Sequence, residues 1–233
     1  MKLLILHLSD MHCRASDGAM FLKIEKAVAA INTLGKCDGA VICFSGDLTN
    51  SGARKEINAA SKLFNKLLNT MSATLNCGFI PVALVPGNHD IILPEDSRTA
   101  LEIEKWNKED HLQDELDKMK PFFYYSLRKR CFKKERLCDT KVIDVAGIKL
   151  NIRMLNSAPF STRTATDKEL HYFPQYVAEN LSQNLGADLR ITVMHHHYEW
   201  CEWNTKEMLR NTIAKDDITF FGHDHKSEGV SSK

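Results

Sequence analysis

Short apolar runs, each stopped by a polar loop, organise the first part of the chain: Leu3 to Leu8, Gly39 to Phe44 and Phe79 to Val85. Runs this short and this uniformly apolar suit strands buried on both faces, as in a parallel sheet. Between the first two, Met20, Phe21, Ile24, Ala27, Val28, Ile31 and Leu34 recur at helical spacing until Gly35 ends the pattern. Between the second and third, Ile57, Ala60, Leu63, Phe64, Leu67, Leu68 and Met71 do the same. The order β-α-β-α-β with right-handed crossovers packs helices on a sheet and brings the C-terminal ends of the strands to one edge.

Residues 94–141 break this rhythm, with charged residues around the sparse apolar anchors Leu101, Trp106, Leu112, Leu116 and Met119. The pattern predicts a peripheral insertion of one or two helices ending at Pro121, followed by a basic stretch of Arg128, Lys129, Arg130, Lys133, Lys134 and Arg136. Lys141 to Val145 and Lys149 to Leu155, joined across Ala146-Gly147, predict an antiparallel hairpin. A helix over Gln175 to Leu185, a strand over Arg190 to Met194, a helix over Thr205 to Ala214 and a strand over Ile218 to Phe221 complete the reading.

With 233 residues, 43% hydrophobic and 26% charged, the chain can fill one α/β domain spanning 1–233. The net charge of +1 points to no particular partner. Seven scattered cysteines without CxxC spacing fit neither a disulfide framework nor a thiolate zinc site, and a reducing cytoplasm is the expected location. His7 and Asp10 interrupt the N-terminal apolar run before signal-peptide length, and no run reaches the roughly 20 residues that span a bilayer.

Candidate chemistry sits in the segments just after the strands. The runs lead into Asp10-Met11-His12, Gly46-Asp47, Gly87-Asn88-His89-Asp90, His195-His196-His197 and Gly222-His223-Asp224-His225. These are metal-ligand residue types, brought together if the strands share one edge. Two divalent ions about 3.5–4 Å apart repel, so a shared anionic ligand is needed between them. Oxygen and imidazole donors without thiolate suit manganese, iron, zinc or cobalt alike, and manganese is the ion expected.

In this ordered set, DxH, GD, GNH(D/E), a histidine after a strand and GHxH, the chain resembles the calcineurin-like metallophosphoesterase superfamily from residue 10 to residue 225. The resemblance implies a four-layer α/β/β/α sandwich with a dinuclear metal site at the strand ends. It implies Asp10, His12 and His225 on a first metal, Asp47 bridging, and Asn88, His195 and His223 on a second. His89 is then the general acid for the leaving oxygen, with Asp90 fixing its orientation and raising its basicity. In the His195-His196-His197 run the first histidine is the family's usual ligand, and His196 is the alternative. The family often carries proline soon after this histidine, where this chain has Tyr198-Glu199-Trp200.

The implied activity is two-metal hydrolysis of a phosphate ester. The GNHD form and the basic stretch favour a phosphodiesterase, acting on a nucleotide or nucleic acid as a nuclease would. The alternatives are a phosphomonoesterase on a small metabolite or phosphoprotein, and a non-catalytic metal-binding scaffold. Gly46 to Gly52 lacks the arginine of the protein phosphatase branch. His7, His111 and His171 read as ordinary histidines outside the site, and Cys13 as a bystander. The basic stretch reads more simply as a solvated loop, and Trp200 and Trp203 as core packing or as platforms for a base. Family members usually continue past GHxH, so the chain is expected to be the N-terminal module of a longer polypeptide.

Overall fold

The computed structural model describes residues 1–15, 18–93, 99–125, 137–162, 167–181 and 186–224, with the backbone alone at 18–23 and 124–125. Strands β1 (Leu3–Leu8), β2 (Gly39–Ser45) and β3 (Val82–Val85) form a parallel sheet in the order β1-β2-β3. Helices α1 (Gly18–Asn32) and α2 (Arg54–Leu75) are its crossovers. A second sheet has the order β4-β5-β6-β7, from β4 (Cys138–Val145), β5 (Ile148–Leu155), β6 (Leu189–Met194) and β7 (Ile218–Phe220). Its first pair is an antiparallel hairpin and the rest is parallel. The hairpin turns on Ala146 and Gly147, both with positive φ (54° and 85°), as a tight turn between twisted strands requires.

Alternation along the strands builds the layers. Ala40, Ile42 and Phe44 of β2 face α1 and α2, where Phe64 meets Phe44 edge-on at 5.7 Å. The intervening Val41 and Cys43 face the second sheet and pack with Leu150, Ile152 and Met154 of β5 and with Ile191 and Val193 of β6. Beyond the second sheet, Leu155 and Met194 meet Val177 and Leu181 of α6 (Tyr176–Leu181) and Leu209 and Ile213 of α7 (Trp203–Ile213). The result is helices, sheet, sheet, helices, the four-layer α/β/β/α sandwich expected.

Three expectations change. The strand ends do not share the edge of one sheet: β1, β2 and β3 belong to one sheet and β6 and β7 to the other, and the two bring their C-terminal ends side by side. The charged segment holds three short helices, α3 (Ala100–Glu104), α4 (Lys108–Asp117) and α5 (Lys120–Tyr125). Its buried Leu116, Met119 and Phe122 each reach a different apolar cluster. The third strand starts at Val82, and Phe79 is 75% exposed. Pro81, which has no N–H to donate, sits just before the strand and only accepts, from Ile42 at 3.0 Å.

Candidate active site

The loops after β1 and β2 zip together by main-chain bonds, from Asp10 N–H to the Gly46 carbonyl (3.0 Å), His12 N–H to Asp47 (3.0 Å) and Cys13 N–H to Leu48 (3.1 Å). This pairing sets Asp10, His12 and Asp47 beside one another. It does so in strained backbone: φ is 52° at Asp10, 44° at His12, 57° at Asp47 and 71° at His223. These four are half of the eight non-glycine residues with positive φ among the described residues. L-residues avoid this region at a cost of order 1–3 kcal/mol each, so their gathering here marks a functional site.

Glycine supplies the room. A Cβ on Gly87 would stand 2.2 Å from Asp47 Oδ1, and one on Gly222 would stand 2.6 Å from the Ser45 carbonyl and 2.9 Å from His195 Nδ1. At Gly46 both demands meet, a φ of 95° and a Cβ position 2.5 Å from His195 Nδ1.

Asp47 lies between two groups of donors. Its Oδ2 is 3.7 Å from His12 Nε2 on one side and 3.5 Å from His195 Nε2 on the other. Its Oδ1 accepts the His89 N–H at 2.8 Å. Asn88 Oδ1 is 3.0 Å from His195 Nε2 and 3.2 Å from His223 Nδ1, while Asp10 Oδ1 accepts the His223 N–H at 3.2 Å. His195, His196 and His223 form one set of close donors, Asp10, Asp47 and His195 another, and His12, Asp47 and His89 a third. His225 lies outside the described residues.

The donors fit divalent cations. His195 Nδ1 stands 2.7 Å from the Ser45 carbonyl, which can only accept, so Nδ1 carries the hydrogen. Burial lowers the His195 pKa, so the ring is neutral and its Nε2 presents a lone pair towards the Asp47 carboxylate. A lone pair facing a carboxylate in a buried site is unfavourable unless a cation lies between them. Burial, and next the adjacent His195, lower the His223 pKa to about 4, which keeps that ring in the neutral, ligating form.

One assigned role is corrected. The His89 ring is held by the Asn50 carbonyl, 2.8 Å from Nδ1, rather than by Asp90. Asp90 turns into the protein and accepts from the N–H groups of Leu48 (3.1 Å), Thr49 (2.9 Å) and Gly87 (3.0 Å) and from Thr49 Oγ1 (2.9 Å). Burial and the neighbouring Asp47 push its pKa up to about 6, against the pull of those amides. Asp90 thus clamps the Asp47 loop to the Gly87 turn. Sequence reasoning missed Asn50 and Ser45 because both act through main-chain carbonyls, which no residue type announces.

The remaining candidates have varied surroundings. His7 bonds Ser45 Oγ at 2.7 Å and stacks on Phe220, and His111 stacks on Trp106. His171 is fully buried against His196, their ring centroids 4.0 Å apart. Cys13 is buried and bridges to Thr49. Trp200 meets His223 edge-on at 4.3 Å, whereas Trp203 is 71% exposed. The basic stretch 128–136 lies outside the described residues.

Two packed sheets whose joined strand ends gather carboxylate, amide and imidazole donors define a metal-dependent phosphoesterase, a hydrolase of phosphoric esters. The chain belongs to the calcineurin-like phosphoesterase family, whose profile matches residues 3–227. A comparison with curated proteins gave no match. Members typically bind two divalent metals, and the histidine and aspartate clusters accommodate such ions here. Among the described residues no helix is long and apolar enough to cross a membrane.

Proposed function

We propose that the chain is a phosphodiesterase acting on a nucleotide or nucleic acid, with manganese at both positions of a two-metal centre. The observation that carries the centre is the Asp47 carboxylate, set between His12 at 3.7 Å and His195 at 3.5 Å as a bridging ligand must be. Asp10, His12 and His225 would hold the first ion, and Asn88, His195 and His223 the second. When bound, the two ions supply an activated water at neutral pH and offset the charge of the phosphoryl oxygens.

The chain's own residues supply the rest. His89 Nδ1–H donates to the Asn50 carbonyl at 2.8 Å, which fixes the ring and leaves Nε2 to carry the proton. His89, its ring edge-on to His12 at 4.5 Å, delivers that proton to the leaving oxygen. Asp90 keeps Asp47 and His89 in register through its amide bonds to both loops. The diester preference rests on the Gly87-Asn88-His89-Asp90 form, and the exposed Trp203 ring offers a face on which a base can stack. A cytoplasmic location is inferred from the cysteine pattern.

The test is hydrolysis of bis(p-nitrophenyl) phosphate against p-nitrophenyl phosphate with added Mn²⁺. The expected outcome is turnover that favours the diester, abolished in Asp47→Asn and reduced about 10²–10⁴-fold in His89→Ala. Preference for the monoester would assign a phosphomonoesterase. Bound metal without turnover of either ester would return the scaffold reading.

A further inference from the structure

Behind the phosphoesterase centre lies a second buried cluster that the reaction above does not use. His196 is next to His195 in the chain and fully buried, its ring 4.7 Å from that of His195 and 4.5 Å from that of His223, with Nδ1 3.0 Å from Ser157 Oγ and no hydrogen-bond partner at Nε2. His171, also fully buried, lies 4.0 Å from it ring to ring. Its Nδ1 is 3.2 Å from the Pro159 carbonyl and its Nε2 is 3.4 Å from Asp167 Oδ2. Asp167 is buried as well; Oδ2 accepts the Thr162 N–H at 3.1 Å, and Oδ1 has no hydrogen-bond partner. The three residues each offer one ligand atom, all within 4.8 Å of one another.

We propose that Asp167, His171 and His196 form a third metal site, adjoining the two-metal centre through His196, that takes a zinc-like divalent cation. Two features point to a cation. Buried polar atoms are normally satisfied, yet His196 Nε2 and Asp167 Oδ1 in one cluster are not. A carbonyl can only accept, so His171 Nδ1 carries a hydrogen, which leaves Nε2, 3.4 Å from Asp167 Oδ2, as the ring atom that can take an ion shared with that carboxylate.

The donor set is of the right kind. Two imidazoles and a carboxylate, without thiolate, leave the fourth position of a tetrahedral zinc for water. Ligands about 2.0–2.1 Å from a tetrahedral ion stand roughly 3.3–3.4 Å apart, close to the 3.4 Å between His171 Nε2 and Asp167 Oδ2. Each imidazole has its Nδ1 held by an oxygen, the outer support that ligating histidines use. The two rings are 25° from parallel, so loading requires the His196 ring to turn its free Nε2 towards the ion. The ion ties the segment from Ser157 to His171 to the end of β6, one residue from His195.

The test is zinc content of the metal-stripped full chain after equilibration with zinc alone, read by elemental mass spectrometry. The expected result is about three zinc ions per chain, falling to about two in His171→Gln and in Asp167→Asn, with about one retained in Asp47→Asn. About two ions in the wild type, unchanged in both His171→Gln and Asp167→Asn, overturns the site and leaves a metal-free contact of His171 with Asp167. Loss of zinc in His171→Gln but not in Asp47→Asn would keep this site and sink the two-metal centre. Should either variant fail to fold, cobalt titration of the wild type decides: a third equivalent with strong visible bands of tetrahedral cobalt supports the site, and saturation at two overturns it.

Discussion

Asp90 and His89 are neighbours with opposite work, and single substitutions separate them. Asp90→Ala strands the buried N–H groups of Leu48, Thr49 and Gly87, each at a cost of about 1–3 kcal/mol. A loss of at least about 3 kcal/mol is expected, read as a lower urea midpoint with unchanged slope. His89 is only partly buried, so His89→Ala should hold its melting temperature within a few degrees while turnover collapses. If both variants melted alike, Asp90 would not be the clamp. Gly87→Ala probes the same contact from the backbone: its Cβ falls 2.2 Å from Asp47 Oδ1 and 2.6 Å from Asp47 N. Overpacking of this kind costs about 1–3 kcal/mol, and displacement of Asp47 should weaken manganese affinity, measurable by calorimetric titration. Gly78→Ala, with nothing within 4 Å of the added carbon, is the control.

At the scale of elements, α2 contributes a large share of the first core, because its buried Ala60, Phe64, Leu67, Leu68 and Met71 share one apolar cluster with Ala40, Ile42 and Phe44 of β2. Phe64→Ala should cost about 3–5 kcal/mol in urea unfolding, whereas Phe79→Ala, at a site 75% exposed, should stay within about 0.5 kcal/mol. The contrast also shows what a sequence pattern can and cannot reveal. Helical spacing found the inner face of α2 but not its ends, Arg54, which opens an exposed turn, and Leu75, which is buried one turn beyond Met71. Phe79 joined the strand by hydrophobicity, although Pro81 was the better guide to where pairing begins. The donors of the site were legible because chemistry restricts them to Asp, Asn and His in a fixed order after strands. Asn50 and Ser45 were not, because any residue has a carbonyl to give. His171 was hidden for another reason: 25 residues separate it from His196, and only the folded chain, which bridges His171 to Cys201, stacks them.

For the whole molecule, the two sheets are held face to face by a core in which Cys43 is fully buried among Val41, Ile152, Ile191 and Val193. Burial raises its thiol pKa from 9.0 to about 12. A thiolate would have to form in an apolar layer without a counter-charge, so the folded state keeps the proton that the unfolded chain gives up. That difference sets the sign. Below pH 9 both states hold the proton and stability is unaffected; as pH rises towards 12 the unfolded state alone loses it, and stability falls. The slope approaches about 1.4 kcal/mol per pH unit for one proton. Other groups raised by burial, Cys201 and Tyr172, add to the total decline, so the contribution of Cys43 is isolated as a difference. Urea midpoints of wild type and Cys43→Ala, compared at about pH 8 and about pH 10.5, should converge as pH rises. The alanine variant starts lower, having lost the sulfur's packing, and declines less steeply. Parallel declines would mean that the thiol ionises as easily folded as unfolded, and that water reaches the layer between the sheets.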